Sequence, residues 1–341
     1  MGQSRVLVTG HKGFIGAWTV QLLCQAGWTV FGLDDESSYG ERLYDAAGMK
    51  SMLAGELTSD VSDLQMTQTW IEQIGPELII HLAGQAIVPR AFKQPYLTFK
   101  SNALGTLAIL EAARLTPCVR AVMCITSDKV YENNNNGQAF SEPDMLGGSD
   151  IYSVSKSGAE LIAKAYNASH CGNGSPNIQT IRLGNVVGGG DWAVNRLIPD
   201  LIHAARSGGD FRVRYMDATR PFQHVSDVVN GISKIASAAL NGQLRSGEAW
   251  NLGPRNNSFA KVRDVIDLFK RYYPNLSVID SEEKIKEDLN LRVDVAKYSD
   301  QFSPPVFDSM EGVERAIRWY QSFYAGTSPI DLVRADLSLL G

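Results

Sequence analysis

Residues 5–16 have the sequence Arg-Val-Leu-Val-Thr-Gly-His-Lys-Gly-Phe-Ile-Gly, and this stretch decides the fold class. Its first five residues form a β-branched run that predicts a strand. Three glycines follow in the spacing Gly-x-x-Gly-x-x-Gly, and a helical segment comes next. Such glycines allow a tight turn, and the helix N-terminus offers N–H groups to a pyrophosphate. The predicted dinucleotide contacts here are Gly10, Gly13, Phe14, Ile15 and Gly16.

The second predicted strand, residues 29–33, ends in Asp34. An acid a little over ~20 residues beyond the first glycine is placed to accept hydrogen bonds from the ribose hydroxyls. The same charge repels a 2′-phosphate, so the sequence favours NAD over NADP as the cofactor. Asp35 and Glu36 follow directly, and the strand position favours Asp34 among the three acids.

Further cofactor contacts are predicted along the next elements. Asp60 and Val61 are placed to lie against the adenine. The apolar run 77–81 predicts a buried strand that leads into a turn of small residues, which lets a dinucleotide lie close. The predicted contacts there are Leu82, Ala83 and, at the start of an amphipathic helix over residues 102–115, Asn102. His81 is expected to be structural, because no second metal-binding residue stands at a suitable spacing.

The bulk composition excludes several classes of protein. The 341 residues carry a formal net charge of −5, which argues against a nucleic-acid partner or an anionic membrane surface. No run approaches the ~18 apolar residues of a membrane span. The four cysteines show no metal-ligand spacing, so we predict no metal site and expect a cytoplasmic protein.

Strand and helix patterns alternate regularly as far as residue 183 and then become irregular. The regular part predicts an α/β protein with a doubly wound parallel (Rossmann) sheet. We expect an NAD-binding domain over residues 1–183, with 222–253 returning to it. Residues 184–221 and 254–341 are expected to form a smaller, irregular substrate-binding lobe. Three arginines there are candidate anion ligands, since a planar guanidinium suits a diphosphate: Arg196, Arg220 and Arg292.

Two short motifs carry the candidate chemistry. Ser127, Asp128 and Lys129 follow a predicted strand, and ligand sites in parallel sheets lie at such carboxyl ends. Tyr152 and Lys156 are spaced to share one helix face, one turn apart. The lysine charge favours the phenolate, which can take a hydroxyl proton while a hydride leaves the same carbon. Two acid/base pairs in one site suggest two chemical steps.

These motifs resemble the extended short-chain dehydrogenase/reductase family. Residues 126–133, Thr-Ser-Asp-Lys-Val-Tyr-Glu-Asn, are similar to the nucleotide-sugar 4,6-dehydratases within it. The resemblance is closest to the CDP-glucose 4,6-dehydratases, through the Gly-Asn-Val-Val-Gly-Gly-Gly-Asp-Trp loop at 184–192 and through residues 196–200, 220–225 and 250–254. Beside the three arginines, the resemblance implies Gln85, Asn185 and Leu197 as contacts of the substrate.

The resemblance also implies a mechanism and a biological setting. Tyr152, activated by Lys156, takes the proton from the sugar O4 while NAD accepts the C4 hydride, and Ser127 hydrogen-bonds O4. Lys129 is the implied base at C5, and Asp128 protonates O6 as water leaves. Hydride return to C6 gives a 4-keto-6-deoxyhexose, a step of deoxysugar and polysaccharide biosynthesis, and regenerates NAD. The family further implies a homodimer or homotetramer.

The sequence leaves several functions open. The substrate is expected to be CDP-D-glucose, but Phe222 stands where that subfamily usually has tryptophan. A GDP-, UDP- or dTDP-linked hexose, including an N-acetylated one, is therefore an alternative. A nucleotide-sugar 4-epimerase or decarboxylase also needs tyrosine, lysine and NAD, but not the pair Asp128 and Lys129. A non-catalytic NAD-binding protein is disfavoured by the presence of Tyr152 and Lys156.

Overall fold

The computed structural model describes residues 4–36, 40–170, 172, 174–281 and 288–340. The strands in these ranges are β1 (Arg5–Thr9), β2 (Thr29–Asp34), β3 (Gly55–Thr58), β4 (Leu78–His81), β5 (Ala121–Ser127), β6 (Asn177–Leu183), β7 (Asn185–Val187), β8 (Asp210–Val213), β9 (Thr219–Arg220), β10 (Phe222–His224), β11 (Glu248–Leu252), β12 (Ala260–Lys261) and β13 (Ser277–Asp280).

The α-helices of the same ranges are α1 (Phe14–Gln25), α2 (Leu43–Ala46), α3 (Leu64–Ile74), α4 (Val88–Lys93), α5 (Pro95–Phe99), α6 (Gly105–Leu115), α7 (Ile151–His170), α8 (Leu197–Ser207), α9 (Val225–Leu240), α10 (Val262–Tyr272), α11 (Ala296–Gln301), α12 (Ser309–Tyr324) and α13 (Pro329–Leu337). Two shorter turns matter for the site. Lys100–Leu104 is a π-helical turn before α6, and Asp128–Val130 is a 3₁₀ turn directly after β5.

A seven-stranded parallel sheet has the strand order β11-β6-β5-β4-β1-β2-β3. Every residue of β4 and β5 is buried, as expected of parallel strands that are covered on both faces. Strands β2 and β4 lie on opposite sides of β1, so the direction in which the chain adds strands to the sheet reverses at β1. Doubly wound sheets bind ligands in the crevice at the carboxyl ends of two such strands. The predicted fold class is therefore confirmed.

The sheet is covered by helices whose apolar faces form a continuous core. Side chains of β1, β4 and β5 pack with those of α3 and α6. Burial of each Leu or Ile in such a core contributes roughly 1.5–3 kcal/mol. Cys124 on β5 belongs to this core, and burial raises the pKa of its thiol to about 12. It is therefore a small apolar residue of the core.

Local sequence sets where α3 begins and ends. The Asp63 side chain accepts a hydrogen bond from the backbone N–H of Met66 at 3.1 Å, which caps the N-terminus of the helix. An N-cap of this kind stabilises a helix by about 1 kcal/mol. Gly75 ends the same helix in the left-handed conformation, with φ of 55°, which glycine adopts without strain.

By their internal contacts the residues divide into two units. The first comprises Met1–Glu132, Met145–Leu183 and Val229–Trp250, and the second comprises Asn133–Asp144, Gly184–Val228 and Asn251–Gly341. The second unit contains three small strand pairs: β7 with β10, β8 with β13, and β9 with β12. The functional assignment of these parts of the chain to an NAD-binding domain and a substrate-binding lobe stays a prediction.

Within the second unit, aromatic side chains pack around the glycine-rich loop 188–192. A Cβ atom on Gly189 would overlap the indole ring of Trp319, so only glycine fits there. Trp192 donates a hydrogen bond from Nε1 to Tyr324 Oη at 3.2 Å, and its ring centroid lies 5.4 Å from that of Phe323. The unusual composition of this loop is thus explained in part by packing against α12.

Candidate active site

The glycine turn after β1 brings backbone segments closer than side chains would allow. Gly10 has φ of 71°, and a Cβ atom there would lie 2.7 Å from the backbone nitrogen of Ala83. A Cβ on Gly16 would overlap the carbonyl oxygen of Gly10, so α1 starts directly against the turn. The first and third glycines of the motif are therefore required by the backbone itself.

Helix α1 presents its N-terminus at this turn. Gly13 is the N-cap residue, and no side chain of the described residues caps the helix there. Phe14 and Ile15 form the first turn, half-buried, directly after the cap. The first N–H groups of such a helix and its positive dipole end suit a phosphate.

Asp34 is the last residue of β2 and is 6% exposed. Its Oδ2 accepts a hydrogen bond from the backbone N–H of Lys12 at 3.1 Å, and its Oδ1 accepts from that of Glu36 at 3.2 Å. Burial raises the pKa of this carboxyl above its ordinary value. These bonds fix the carboxyl beside the glycine turn, as a ribose-binding acid requires.

Asp60 and Val61 follow β3. Asp60 accepts hydrogen bonds from the Ser62 backbone at 2.9 Å and from Lys100 Nζ at 2.8 Å. Val61 is 5% exposed, and a Cβ on Gly105 would lie 2.7 Å from its Cγ1. The turn is thereby held against the start of α6.

The turn after β4 is tied to the glycine turn and to the helices behind it. Leu82 and Ala83 donate their backbone N–H groups to the Thr9 carbonyl at 3.1 Å and to the Thr9 hydroxyl at 3.2 Å. Asn102 accepts from the Gln85 N–H at 2.8 Å and donates to Ser155 Oγ at 2.8 Å.

The side chain of Gln85 forms hydrogen bonds with nearby residues of the same unit. It donates to Thr98 Oγ1 at 2.9 Å and accepts from the backbone N–H of Ile87. His81, behind this turn, hydrogen-bonds the hydroxyls of Thr9 at 2.8 Å and Thr106 at 3.2 Å. Burial lowers the pKa of His81 to about 3, so it is a neutral structural residue at physiological pH.

Ser127, Asp128 and Lys129 form a compact group at the carboxyl end of β5. The Ser127 hydroxyl accepts a hydrogen bond from the backbone N–H of Lys129 at 3.2 Å and donates to Asp128 Oδ1 at 3.2 Å. Ser127 and Asp128 are 6% and 3% exposed. The 3₁₀ turn over Asp128–Val130 thus places a hydroxyl and a carboxyl side by side, with an amine next to them in the chain.

Tyr152 and Lys156 lie one turn apart on α7, and both are buried. Lys156 donates from Nζ to the carbonyl oxygen of Ile125 at 3.1 Å, which ties α7 to β5 two residues before Ser127. Burial lowers the pKa of Lys156 to about 8, with weaker opposing effects from Cys124 and Glu160. The predicted catalytic residues are therefore brought to the same strand end.

The turn after β4, where cofactor contacts are predicted, lies next to Lys156. A Cβ on Gly84 would lie 2.7 Å from Asn102 Oδ1 and 3.3 Å from Lys156 Nζ. Along the carboxyl ends of β1 and β4, from Gly10 to the Lys156 ammonium, neighbouring groups therefore lie so close to the backbone that they leave no room for a side chain at Gly10 or Gly84. An extended dinucleotide such as NAD fits this surface, which combines the N-terminus of α1, the carboxyl of Asp34 and the glycines at the strand ends.

The remaining predicted substrate contacts lie in the second unit. Asn185 begins β7, and Arg196 and Leu197 stand at the start of α8, with Arg196 Nη1 3.5 Å from Asp191 Oδ2. Arg220 on β9 is 7% exposed and donates to the carbonyl oxygen of Thr219 at 2.9 Å.

Arg292 completes this set. Its guanidinium lies 3.6 Å from the ring centroid of Phe259, which is a cation–π contact. The residues that the structure describes contain no cluster of His, Cys, Asp or Glu able to hold a metal ion. Among the same residues, none of the helices is both long and apolar enough to cross a membrane.

Two residues near the site escaped the sequence predictions. Lys12, inside the glycine motif, is 5% exposed and binds Glu36 Oε1 at 3.0 Å. Glu160 is 4% exposed and stands one helical turn beyond Lys156 on α7. The four-residue spacing from Lys156 was a usable signal for Glu160, whereas the partner of Lys12 lies 24 residues away, after β2, and gives no local signal.

The family model for the NAD dependent epimerase/dehydratase family matches residues 6–253, well over half of the chain. The chain belongs to this family. Members of the NAD dependent epimerase/dehydratase family use NAD, so the predicted cofactor is confirmed. The predicted membership of the extended short-chain dehydrogenase/reductase family is confirmed by the same match.

Several family members resemble this chain along nearly its whole length. It is 29% identical to the CDP-glucose 4,6-dehydratase of Salmonella typhimurium, over 98% of this chain and 95% of that protein. It is 25% identical to UDP-glucuronate 4-epimerase 4 of Arabidopsis thaliana, over 94% of this chain and 76% of that protein. The crystal structure of dTDP-glucose 4,6-dehydratase from Bacillus anthracis in complex with NAD has the same fold, with a TM-score of 0.79, 20% identity and coverage of 96% of this chain and 99% of that chain.

Proposed function

We propose that this family member is a nucleotide-sugar 4,6-dehydratase, a hydro-lyase, and that its substrate is CDP-D-glucose. The observation that carries the proposal is the group Ser127-Asp128-Lys129 at the carboxyl end of β5, tied to the helix of Tyr152 and Lys156 through the Ile125 carbonyl. A redox reaction at one carbon needs the tyrosine and lysine alone. An additional acid and base beside them suit a second step, the loss of water.

The redox half of the reaction falls to Tyr152 and Lys156. NAD, when bound, would supply the acceptor for the hydride from C4 of the sugar and the donor of the hydride to C6. Tyr152 takes the proton from O4, and the adjacent Lys156 ammonium favours the phenolate. Because burial lowers the pKa of Lys156 to about 8, the ammonium form dominates at neutral pH and is lost as the pH rises through that value. Ser127 orients O4 by a hydrogen bond.

The elimination falls to Lys129 and Asp128. A ketone at C4 makes the C5 proton acidic, and Lys129 removes it. Asp128 delivers a proton to O6, so that the C6–O6 bond breaks and water leaves. Protonation of C5 and hydride return to C6 complete the balance, and the product is the 4-keto-6-deoxyhexose. Asp128 is suited to the acid role because it lies next to Ser127 at the buried strand end.

The nucleotide diphosphate is assigned to the residues of the second unit. Arg196, Arg220 and Arg292 supply guanidinium groups, whose paired donors match phosphate oxygens. Leu197 directly follows Arg196, and Asn185 begins β7 in the same unit; both are assigned to the substrate, and Gln85 is assigned to the sugar. The 29% identity to a CDP-glucose 4,6-dehydratase supports CDP as the nucleotide.

The proposal is tested with a panel of CDP-, dTDP-, UDP- and GDP-hexoses, including N-acetylated members, each incubated with the NAD-loaded protein. Mass spectrometry is expected to show loss of one water from CDP-glucose. If the protein binds NAD and dehydrates no member, the dehydratase function is wrong. Dehydration of another member alone would retain the reaction and replace the substrate.

Lys129→Ala separates the two steps. Exchange of the C5 proton with solvent and loss of water are expected to collapse, whereas oxidation at C4 persists. The matched control is Lys164→Ala, which removes an exposed lysine on α7 and is expected to leave both steps unchanged. Release of product by Lys129→Ala at a near wild-type rate would show that Lys129 is not the base.

A nucleotide-sugar 4-epimerase is the second candidate, because curated epimerases of the family align with nearly the whole chain. An epimerase inverts C4 and leaves the mass of the sugar nucleotide unchanged. The same panel, read by NMR of the recovered sugar, therefore separates the two reactions.

We further propose a homodimer, formed through α6 and α7. Both helices carry large apolar side chains that are well exposed in the single chain: Leu107, Leu115, Ile151, Val154 and Leu161. On α7 these residues fall on one helix face, at spacings of three and seven residues. Pairing of that face with its copy buries a contiguous apolar surface, as an isologous dimer requires.

A further inference from the structure

A buried polar network lies beside the catalytic strand end. Its five members are between 2% and 6% exposed: Thr126, Tyr131, Glu160, Thr180 and Arg182. Glu160 is at its centre. The Glu160 carboxylate accepts hydrogen bonds from Thr126 Oγ1 at 2.5 Å and from Thr180 Oγ1 at 2.9 Å. Hydroxyls from β5 and β6 are thereby fixed to one group on α7.

Arg182 balances the charge of this carboxylate. Its Nη2 lies 2.8 Å from Glu160 Oε2, and its Nη1 donates to Tyr131 Oη at 2.9 Å. The guanidinium also lies 5.0 Å from the Tyr131 ring centroid. A buried ion pair adds little net stability over an apolar pair, because both charges must lose their hydration. Its presence beside the site therefore calls for a role other than stability.

Three members of the network are close in the chain to predicted catalytic residues, and Thr180 and Arg182 on β6 are joined to this group of three by hydrogen bonds and an ion pair. Thr126 immediately precedes Ser127, and Tyr131 directly follows the 3₁₀ turn that carries Asp128 and Lys129. Glu160 stands one turn beyond Lys156 on α7. The network thus spans the three segments whose relative placement decides whether the redox and elimination groups face the same sugar.

We propose that Glu160 and Arg182 are positioning residues, which hold the strand end of Ser127, Asp128 and Lys129 in register with the helix face of Tyr152 and Lys156. This inference rests on the proposed function for the roles of those five residues. Glu160 and Arg182 are buried away from solvent and act through their neighbours.

The pair also sets the charge felt by Lys156. Tyr152 stands one helical turn before Lys156 on α7, and the titratable groups that interact electrostatically with Lys156 include His81 on β4, Cys124 on β5 and Glu160 on α7. His81 is neutral because its pKa is lowered to about 3, and Cys124 is a thiol because its pKa is raised to about 12. The Glu160 carboxylate is the anion of this set, so it helps to keep Lys156 protonated against the effect of burial.

The first arm of the test measures the protonation of Lys156 directly. The NAD-loaded full chain is labelled at the lysine side-chain carbons and titrated by NMR, and the Lys156 signal is assigned by its loss in Lys156→Arg. Glu160→Gln is expected to lower the Lys156 midpoint by about half a pH unit or more, since a negative charge one helical turn away is removed inside the protein. Thr180→Val keeps both charges and is expected to leave the midpoint unchanged.

The second arm measures whether the catalytic groups are correctly placed. It uses a double variant, because a single substitution would leave one buried charge unpaired. In Glu160→Gln/Arg182→Gln both charges are absent, so the Lys156 midpoint is expected to return towards the wild-type value. Its kcat is expected to fall at least tenfold, with KM within about threefold, because the groups remain present but are misplaced.

The results separate this inference from the proposed function. A folded Glu160→Gln that titrates like wild type, or a double variant with wild-type kcat, would overturn the positioning role. The titration needs no sugar nucleotide. If the substrate panel fails, the titration and the fold of the double variant still decide whether Glu160 governs Lys156.

Discussion

Replacement of Lys156 by methionine is expected to stabilise the NAD-free protein at neutral pH while it abolishes activity. Burial lowers the pKa of Lys156 from 10.5 to about 8. At about 1.4 kcal/mol per pKa unit, the buried charge costs the folded state about 3 kcal/mol. Methionine keeps most of the aliphatic volume but loses the hydrogen bond to Ile125, which is worth about 1 kcal/mol. The net gain is about 2 kcal/mol.

The stability gained by Lys156→Met must fall as the pH rises. The charged form of Lys156 is disfavoured in the folded state, so the full penalty applies below about pH 8, where both the folded and unfolded chains are protonated. The penalty is relieved as the pH rises from about 8 to 10.5, because the folded protein releases this proton first. The advantage of Lys156→Met should therefore be largest at neutral pH and shrink in alkali.

Urea unfolding, followed by circular dichroism in neutral and in alkaline buffer, measures both effects. Lys164→Met, at an exposed position of the same helix, is the control and should stay within about 0.5 kcal/mol of wild type in both buffers. The reasoning is refuted if Lys156→Met is less stable than wild type at neutral pH, or if its advantage is the same in both buffers.

Three further predictions concern the cofactor and the assembly. Gly84→Ala should weaken NAD binding at least tenfold in calorimetry, because its Cβ would lie 2.7 Å from Asn102 Oδ1; Gly172→Ala, where a Cβ meets no atom within 4 Å, should bind normally. Asp34→Asn keeps an acceptor for the Lys12 N–H but removes a charge, and should shift the ratio of NADP to NAD affinity at least tenfold towards NADP; an unchanged ratio would contradict the ribose assignment. Leu161→Glu places a charge at a side chain that is 55% exposed in the single chain, and should convert the proposed dimer to a monomer by light scattering, whereas Lys164→Ala should not.

The parts of the fold that local sequence dictates were predictable. A β-branched run, a glycine turn and a helix in direct succession predicted β1 and α1, and the structure has the strand at Arg5–Thr9 as expected. Tyr152 and Lys156 were predicted to lie one turn apart, because helix geometry fixes that spacing whatever surrounds it. Asp34 was predicted as a strand end and is the last residue of β2.

Features that depend on distant partners were not predictable. The helix expected from Asn102 begins regularly only at Gly105, since residues 100–104 form a π-helical turn. Asn102 is held in that turn by hydrogen bonds to Gln85 and Ser155, which lie 17 and 53 residues away. In the second unit, β8 pairs with β13, which joins segments more than 60 residues apart that carry no shared local pattern.

The position of β11 in the sheet has a consequence for the protein during its synthesis. Strand β6 is complete at Leu183, but its outer neighbour β11 begins only at Glu248. At about 5–20 residues per second, a ribosome needs several seconds to supply that neighbour. For that time the open edge of the nascent sheet is β6, a strand that is largely buried and interior in the finished sheet, and such an edge is a template for pairing with other chains. A transcript truncated between these two strands should therefore yield an aggregating product rather than a smaller folded one, and chaperone dependence should be greatest at this stage of translation.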